Sequence, residues 1–152
     1  MANNKSLADD FFALNLEQRR LVHFVLCEHA LEKWNLYSNA HEKIEYMETV
    51  ASTRQEVDKK LPFDSFISAK QGSDSQNIAQ RYREPIVAMQ DEDLTFPENV
   101  TFAYYAIYNL FKKYAEQEVV DDWLIVNQAL SSEDDSEVGR ALFNRAIQMI
   151  KQ

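Results

Sequence analysis

The sequence has very little with which to build turns. Gly72 and Gly139 are its two glycines, and Pro62, Pro85 and Pro97 its three prolines, in 152 residues. Average usage is about 7% glycine and 5% proline. A β-sandwich or barrel needs a turn every few residues, and a Rossmann domain needs a glycine-rich phosphate loop, so both are excluded. Cysteine is nearly missing too: Cys27 alone permits no intramolecular disulfide and implies no oxidising compartment. No apolar run approaches the ~18 residues of a membrane span. The first ten residues contain no apolar signal segment and are acidic by Asp9. The expectation is a cytoplasmic location with no membrane partner. Positive charge is scarce, with 16 Lys and Arg against 25 Asp and Glu, a net charge of −9. That argues against direct nucleic-acid binding, which depends on clustered cations neutralising phosphates.

What is present is a helix-forming composition of ordinary hydrophobicity, 45% apolar and 27% charged, which excludes a disordered chain. At this length one domain spanning 1–152 is expected, with about 68–70% of the unfolded surface buried and no disulfide or metal staple needed. The acidity is regional. Residues 91–137 carry twelve acids against Lys112 and Lys113, a net −10, while the remaining 105 residues carry 14 bases and 13 acids. Such asymmetry steers association with a basic partner. Part of it has a local explanation, because acids at helix N-termini complement the helix dipole.

The hydrophobic spacing reads as helix after helix. Ser6 caps a short helix over Leu7 to Leu14. Asn15-Leu-Glu-Gln18 is a capping box that opens a helix to about Trp34, with Leu21, Phe24, Val25, Ala30 and Leu31 on its apolar face. Ser38 to Lys60 is expected to be an outer helix on a thin stripe of Ile44, Met47, Ala51 and Val57. Leu61-Pro62 ends it, and Phe63, Phe66 and Ile67 form a short helix or turn plugged into the core. Lys70 to Ser75, with Gly72, is a loop. A helix from about Asp74 to Gln90 is kinked or ended midway by Pro85, and Asp91 to Leu94 is an acidic connector. Thr95-Phe-Pro-Glu98 reads as a second capping box opening a central aromatic helix through Ala115, bearing Phe102, Tyr104, Tyr105, Tyr108, Phe111 and Tyr114. Glu118 to Leu130 and Asp135 to Ile150 complete the set, the last with Val138, Ala141, Leu142, Ala146, Met149 and Ile150 on one side. The expected fold class is all-α, a single compact bundle of six to eight helices around the central aromatic helix. No internal repeat suggests a solenoid.

Catalytic and metal chemistry find little to work with. Ferritin-like sites need a Glu three residues before a His, and the residues three before His23, His29 and His41 are Arg20, Leu26 and Ser38. His23 and Cys27 share a helix face and would be half of a zinc site, but no second pair exists, and His29 lies ~240° around the helix from His23. Cys27 sits in Phe24-Val-Leu-Cys27, an apolar setting that raises a thiol pKa. There is no Gly-x-Ser-x-Gly elbow. Neither Arg19 nor Arg20 has the His across a four-to-six-residue gap that helical ribonucleases use. No enzyme activity, metal or cofactor is expected. The tyrosine cluster reads as core, and Trp34 and Trp123 as candidate interface anchors.

With these features together, the chain resembles the small acidic all-helical immunity proteins of bacterial toxin–immunity systems, including contact-dependent inhibition. Separately, Leu21-Val-His-Phe-Val-Leu-Cys-Glu-His to Trp34 and Tyr37 is similar to an early helix in an uncharacterised group of helical bacterial proteins. The first resemblance implies stoichiometric blocking of a cognate basic toxin domain, such as a nuclease, through an acidic surface. The partner-binding residues it implies are Asp91, Glu92, Asp93, Glu116, Glu118, Asp121, Asp122, Trp123, Glu133, Asp134, Asp135 and Glu137. Reversing Asp134 and Asp135 to Lys is expected to slow association and leave folding intact. The alternative is a non-catalytic helical adaptor or regulatory module of a bacterium or phage. Monomer and homodimer both remain open.

Overall fold

The computed structural model describes residues 6–48 and 51–151, and these form seven helices and one two-stranded hairpin. Helix α1 (Leu7–Phe12) starts where the Ser6 hydroxyl accepts from the Asp9 amide at 3.2 Å. Helix α2 (Leu16–Asn39) starts at the expected capping box: Asn15 Oδ1 accepts from the Gln18 amide at 2.8 Å, and Gln18 Oε1 accepts from the Asn15 amide at 3.0 Å. Two orphan donors are thereby satisfied reciprocally. The helix outruns the expected end at Trp34 by more than a turn. Trp34 itself is wholly buried and donates its indole N–H to the Lys59 carbonyl at 2.9 Å, so it pins the interior and is not an interface anchor.

The expected outer helix over Ser38 to Lys60 does not form. Strands β1 (Glu45–Met47) and β2 (Arg54–Glu56) pair antiparallel, with Tyr46 opposite Gln55. The side chains settle the period: Ile44 and Tyr46 are buried with Glu45 exposed between them, whereas Met47 and Ala51, required by a helical stripe, lie outside. Alternation by two is the signature of a half-buried strand. The Val57 amide closes the hairpin onto the Ile44 carbonyl at 2.7 Å. Thr49 and Val50, within the expected helix, lie outside the described residues.

Helix α3 (Leu61–Gln71) accepts Pro62 in its first turn and ends at Gly72, whose φ of +76° is the left-handed C-terminal cap. Phe66 enters the core, but Phe63 is half exposed. Helix α4 (Ile78–Gln90) starts four residues after the expected Asp74, whose carboxylate instead accepts from the Ile78 and Ala79 amides. The helix continues through a buried Pro85.

Helix α5 (Glu98–Tyr114) is the central element, packed by α2, by α3 and by helix α6 (Asp122–Ser131). The expected capping box at Thr95 is not made: Pro97 stands at the cap, extended, with no side-chain bond to the helix. Phe96 explains this, because its ring lies 5.3 Å from Trp34 and 5.5 Å from Tyr104 and holds the approach to the helix extended. Tyr82 continues the same aromatic cluster, 5.7 Å from Tyr104 and 4.6 Å from Tyr108. Helix α6 begins later than the expected Glu118, after a segment in which Gln117 has φ +57°. Helix α7 (Ser136–Lys151) buries Gly139, Phe143, Ala146 and Ile147. The inward face is therefore rotated from the expected one, and Val138, Ala141 and Met149 are exposed. Phe143 decides the rotation by packing on Trp123, 6.4 Å away. No helix among the described residues is long and apolar enough to cross a membrane.

Candidate functional site

The acids of the 91–137 stretch fall into three groups with different fates. Asp91, Glu92 and Asp93 form the exposed connector between α4 and α5, where Asp91 is the C-terminal cap of α4 and Glu92 has φ +63°. Their backbone closes on α4 through the Asp93 amide and the Ala88 carbonyl at 2.8 Å.

The second group surrounds the start of α6, and three of its four acids are internally engaged. Asp121 caps the helix by accepting from the Trp123 amide at 2.9 Å. Asp122 is bound by Lys113 at 2.8 Å and faces Arg19 at 3.7 Å. Glu118 lies 3.8 Å from Lys112, and Glu116 is exposed. Trp123 is half-buried among Phe11, Phe12 and Phe143, so it joins α1 to α7 more than it projects outward. Behind this group His23 is wholly buried, with Nε2 2.8 Å from the Asp122 carbonyl and Nδ1 2.7 Å from the Tyr114 hydroxyl. Burial holds the imidazole down to about 4, so the ring is neutral at pH 7. A carbonyl only accepts, so Nε2 carries the proton and Nδ1 accepts from Tyr114. Cys27 is equally buried, and desolvation pushes its thiol far up, as its apolar setting predicts. Among the described residues no group of three His, Cys, Asp or Glu is placed to hold a metal ion.

The third group lies at the α6–α7 corner. Glu133 is engaged by His29 at 2.9 Å, Lys33 at 3.2 Å and the Asp135 amide at 3.1 Å. Burial opposes its ionisation, but these hydrogen bonds win and hold its carboxyl down to about 2. Asp135 accepts from the Glu137 and Val138 amides at 2.9 and 3.3 Å and so caps α7. Asp134 and Glu137 are exposed and make no ion pair among the described residues.

The surface at this corner is concave. A cleft of about 560 Å³ opens between α1, the start of α5 and the α6–α7 turn. Leu7, Phe102 and Leu130 give it an apolar lining, and Glu98, Glu133, Asp134 and Arg140 its charges. Asn99 ties the two sides by donating to the Ser132 carbonyl at 3.4 Å. None of Asp91, Glu92 and Asp93 lines it.

Glu98 is the residue that sequence reasoning left out of the site. As the last residue of the expected capping box its carboxylate would be engaged locally. In the structure α5 begins at Glu98 itself and its side chain is exposed. Arg140 was equally missed, because only the fold brings it into the same cleft as Glu98. Chemically, an apolar floor under a carboxylate rim suits the stem and head of a long cationic side chain. A comparison with protein-family models, with curated proteins and with solved structures yields no match to any of them.

Proposed function

We propose that this chain is an immunity-type inhibitor: a non-catalytic binder that docks on a basic protein domain, such as a bacterial toxin nuclease, and occludes its substrate-binding face. The observation that carries the reading is the cleft at the α6–α7 corner, where, among the described residues, the exposed carboxylates of Glu98 and Asp134 outnumber the one cation, Arg140, left to face them beside Leu7, Phe102 and Leu130. Asp135, Glu137 and the connector acids extend the negative field beyond it. The acids divide by role. Asp122 and Glu133 are neutralised within the protein and hold its elements together. The exposed ones project the net charge of −9 toward a partner. Complementary charge of this kind accelerates encounter, and the cleft then seats one Lys or Arg of the partner, with affinity coming from the desolvated centre of the contact.

Coexpression tests the reading. The C-terminal domain of the protein encoded immediately upstream is produced in cells with and without this chain. Rescue of growth, with co-purification at one to one, is the expected result. Equal killing in its presence, or a harmless upstream domain, overturns the immunity reading and favours a helical adaptor.

A further inference from the structure

Beside the buried His23–Tyr114 pair lies a second, smaller cavity of about 290 Å³, and it has the opposite charge. Arg19, Arg20 and Lys113 line it together with Glu17, Asp122, Leu16 and Tyr114. Three cations meet two carboxylates there, leaving one positive charge in excess within a chain of net charge −9. The cations are not equivalent. Arg19 is engaged: its guanidinium donates to the Leu14 and Phe12 carbonyls at 3.1 and 2.9 Å and faces Asp122. Lys113 is bound to Asp122.

Arg20 is the exception. It rests against two neighbouring rings, 4.8 Å from the centre of Phe24 and 5.6 Å from that of Tyr114, which are themselves 5.3 Å apart. Its one charge partner among the described residues is Glu17, at 3.9 Å, too long for a hydrogen bond. The side chain is 35% exposed and lines the cavity, so the guanidinium is in contact with the rings while solvent still reaches it. The ring beneath it is fixed as well, because Tyr114 donates its proton to His23. A guanidinium pre-positioned on aromatic faces, with its fork unengaged, matches the geometry of an oxyanion. The capping box already occupies the Asn15 and Gln18 amides at the start of α2, so the case for a site rests on the side chains.

We infer that this cavity binds a small oxyanion, a phosphate or carboxylate group, with Arg20 as the bidentate donor and Lys113 as the supporting charge. The site is separate from the acidic cleft and does not depend on the inhibitor reading. The test is titration of the full chain with inorganic phosphate, and separately with acetate, at constant ionic strength set by chloride. It is read from the Arg20 side-chain N–H and Tyr114 ring signals by NMR. Saturable shifts at these groups are expected, and the tighter of the two anions identifies the chemistry. Arg20→Gln should weaken binding at least about tenfold, the equivalent of losing one charged hydrogen bond. Lys113→Gln should weaken it less, and Arg145→Gln, on the exposed face of α7, should leave it unchanged. No saturable shift with either anion overturns the site, as does equal binding by Arg20→Gln. If Arg20→Gln fails to fold, equal weakening by Lys113→Gln and Arg145→Gln overturns it instead.

Discussion

His23 holds two elements together through one proton. It receives the Tyr114 proton from the end of α5 and donates its own to the first carbonyl of α6. Accepting from Tyr114 requires the neutral ring, whereas the bond to the Asp122 carbonyl survives protonation; burial keeps the ring neutral down to about pH 4. In the unfolded chain a histidine protonates near its ordinary 6.5. Between pH 6.5 and 4 the unfolded state therefore binds the extra proton, and stability falls as pH falls, by roughly 3 kcal/mol across the window. Below that window this group contributes no further change. Glu133, held down to about 2, acts lower: its contribution is present above the usual carboxylate range and is lost as pH falls toward 2. Urea unfolding at pH 7 and pH 4 checks the histidine contribution. His23→Gln, whose amide can donate to the Asp122 carbonyl and accept from Tyr114, should flatten the dependence in that window. A wild-type profile as flat as that of the variant would remove the account. Of these residues, the inert Cys27 was legible from its apolar neighbours. The His23 pair was not, because its partners lie 91 and 99 residues away in sequence.

At the scale of elements, the two glycines should respond in opposite ways to alanine. Gly72 has φ +76°, and a Cβ there would meet nothing nearer than the Tyr114 carbonyl oxygen at 3.9 Å. Gly72→Ala therefore costs conformational energy without a clash, ~1 kcal/mol, or roughly 2–4 °C in Tm. Gly139 sits inside α7, where an added Cβ would make an ordinary contact at 3.7 Å, and alanine there should raise Tm by a similar amount. Thermal unfolding of the two variants decides it; the same sign for both would contradict the geometry. Capping chemistry made α1 and α2 readable from sequence alone, because Ser6, Asn15 and Gln18 act within three residues of themselves. The hairpin was misread for a physical reason. Ile44, Met47 and Ala51 have helical spacing by coincidence, and only contact with the core selects Tyr46 as the inward residue. The capping box at Thr95 failed in the same manner, since the burial of Phe96 among distant rings overrides a local signal worth about 1 kcal/mol. Phe143 turned α7 by the same kind of long-range packing.

Across the whole molecule, the expected bundle around a central aromatic helix is what the structure has, with the hairpin as its one departure. The regional acidity was equally plain in the sequence. What could not be read there was the division of those acids into neutralised and projecting sets, because Lys33, His29, Arg19 and Lys113 reach them only through the fold. That division also moves the most informative reversal. Asp135 caps α7, so Asp135→Lys would lose a cap worth ~1 kcal/mol and would not leave folding untouched. Glu98 and Asp134 border the cleft without holding any element in place. The measurement that bears most directly on the docking account is the association rate of the co-purifying basic domain with Glu98→Lys/Asp134→Lys, as a function of salt. Glu28→Lys/Glu42→Lys, equal in charge change but outside both the cleft and the acidic stretch, is the comparison. The account predicts a rate lowered about tenfold at low ionic strength, with a shallower salt dependence, for the cleft pair and a much smaller change for the control. Equal rates for the two pairs would contradict it and leave the acidity a matter of solubility alone.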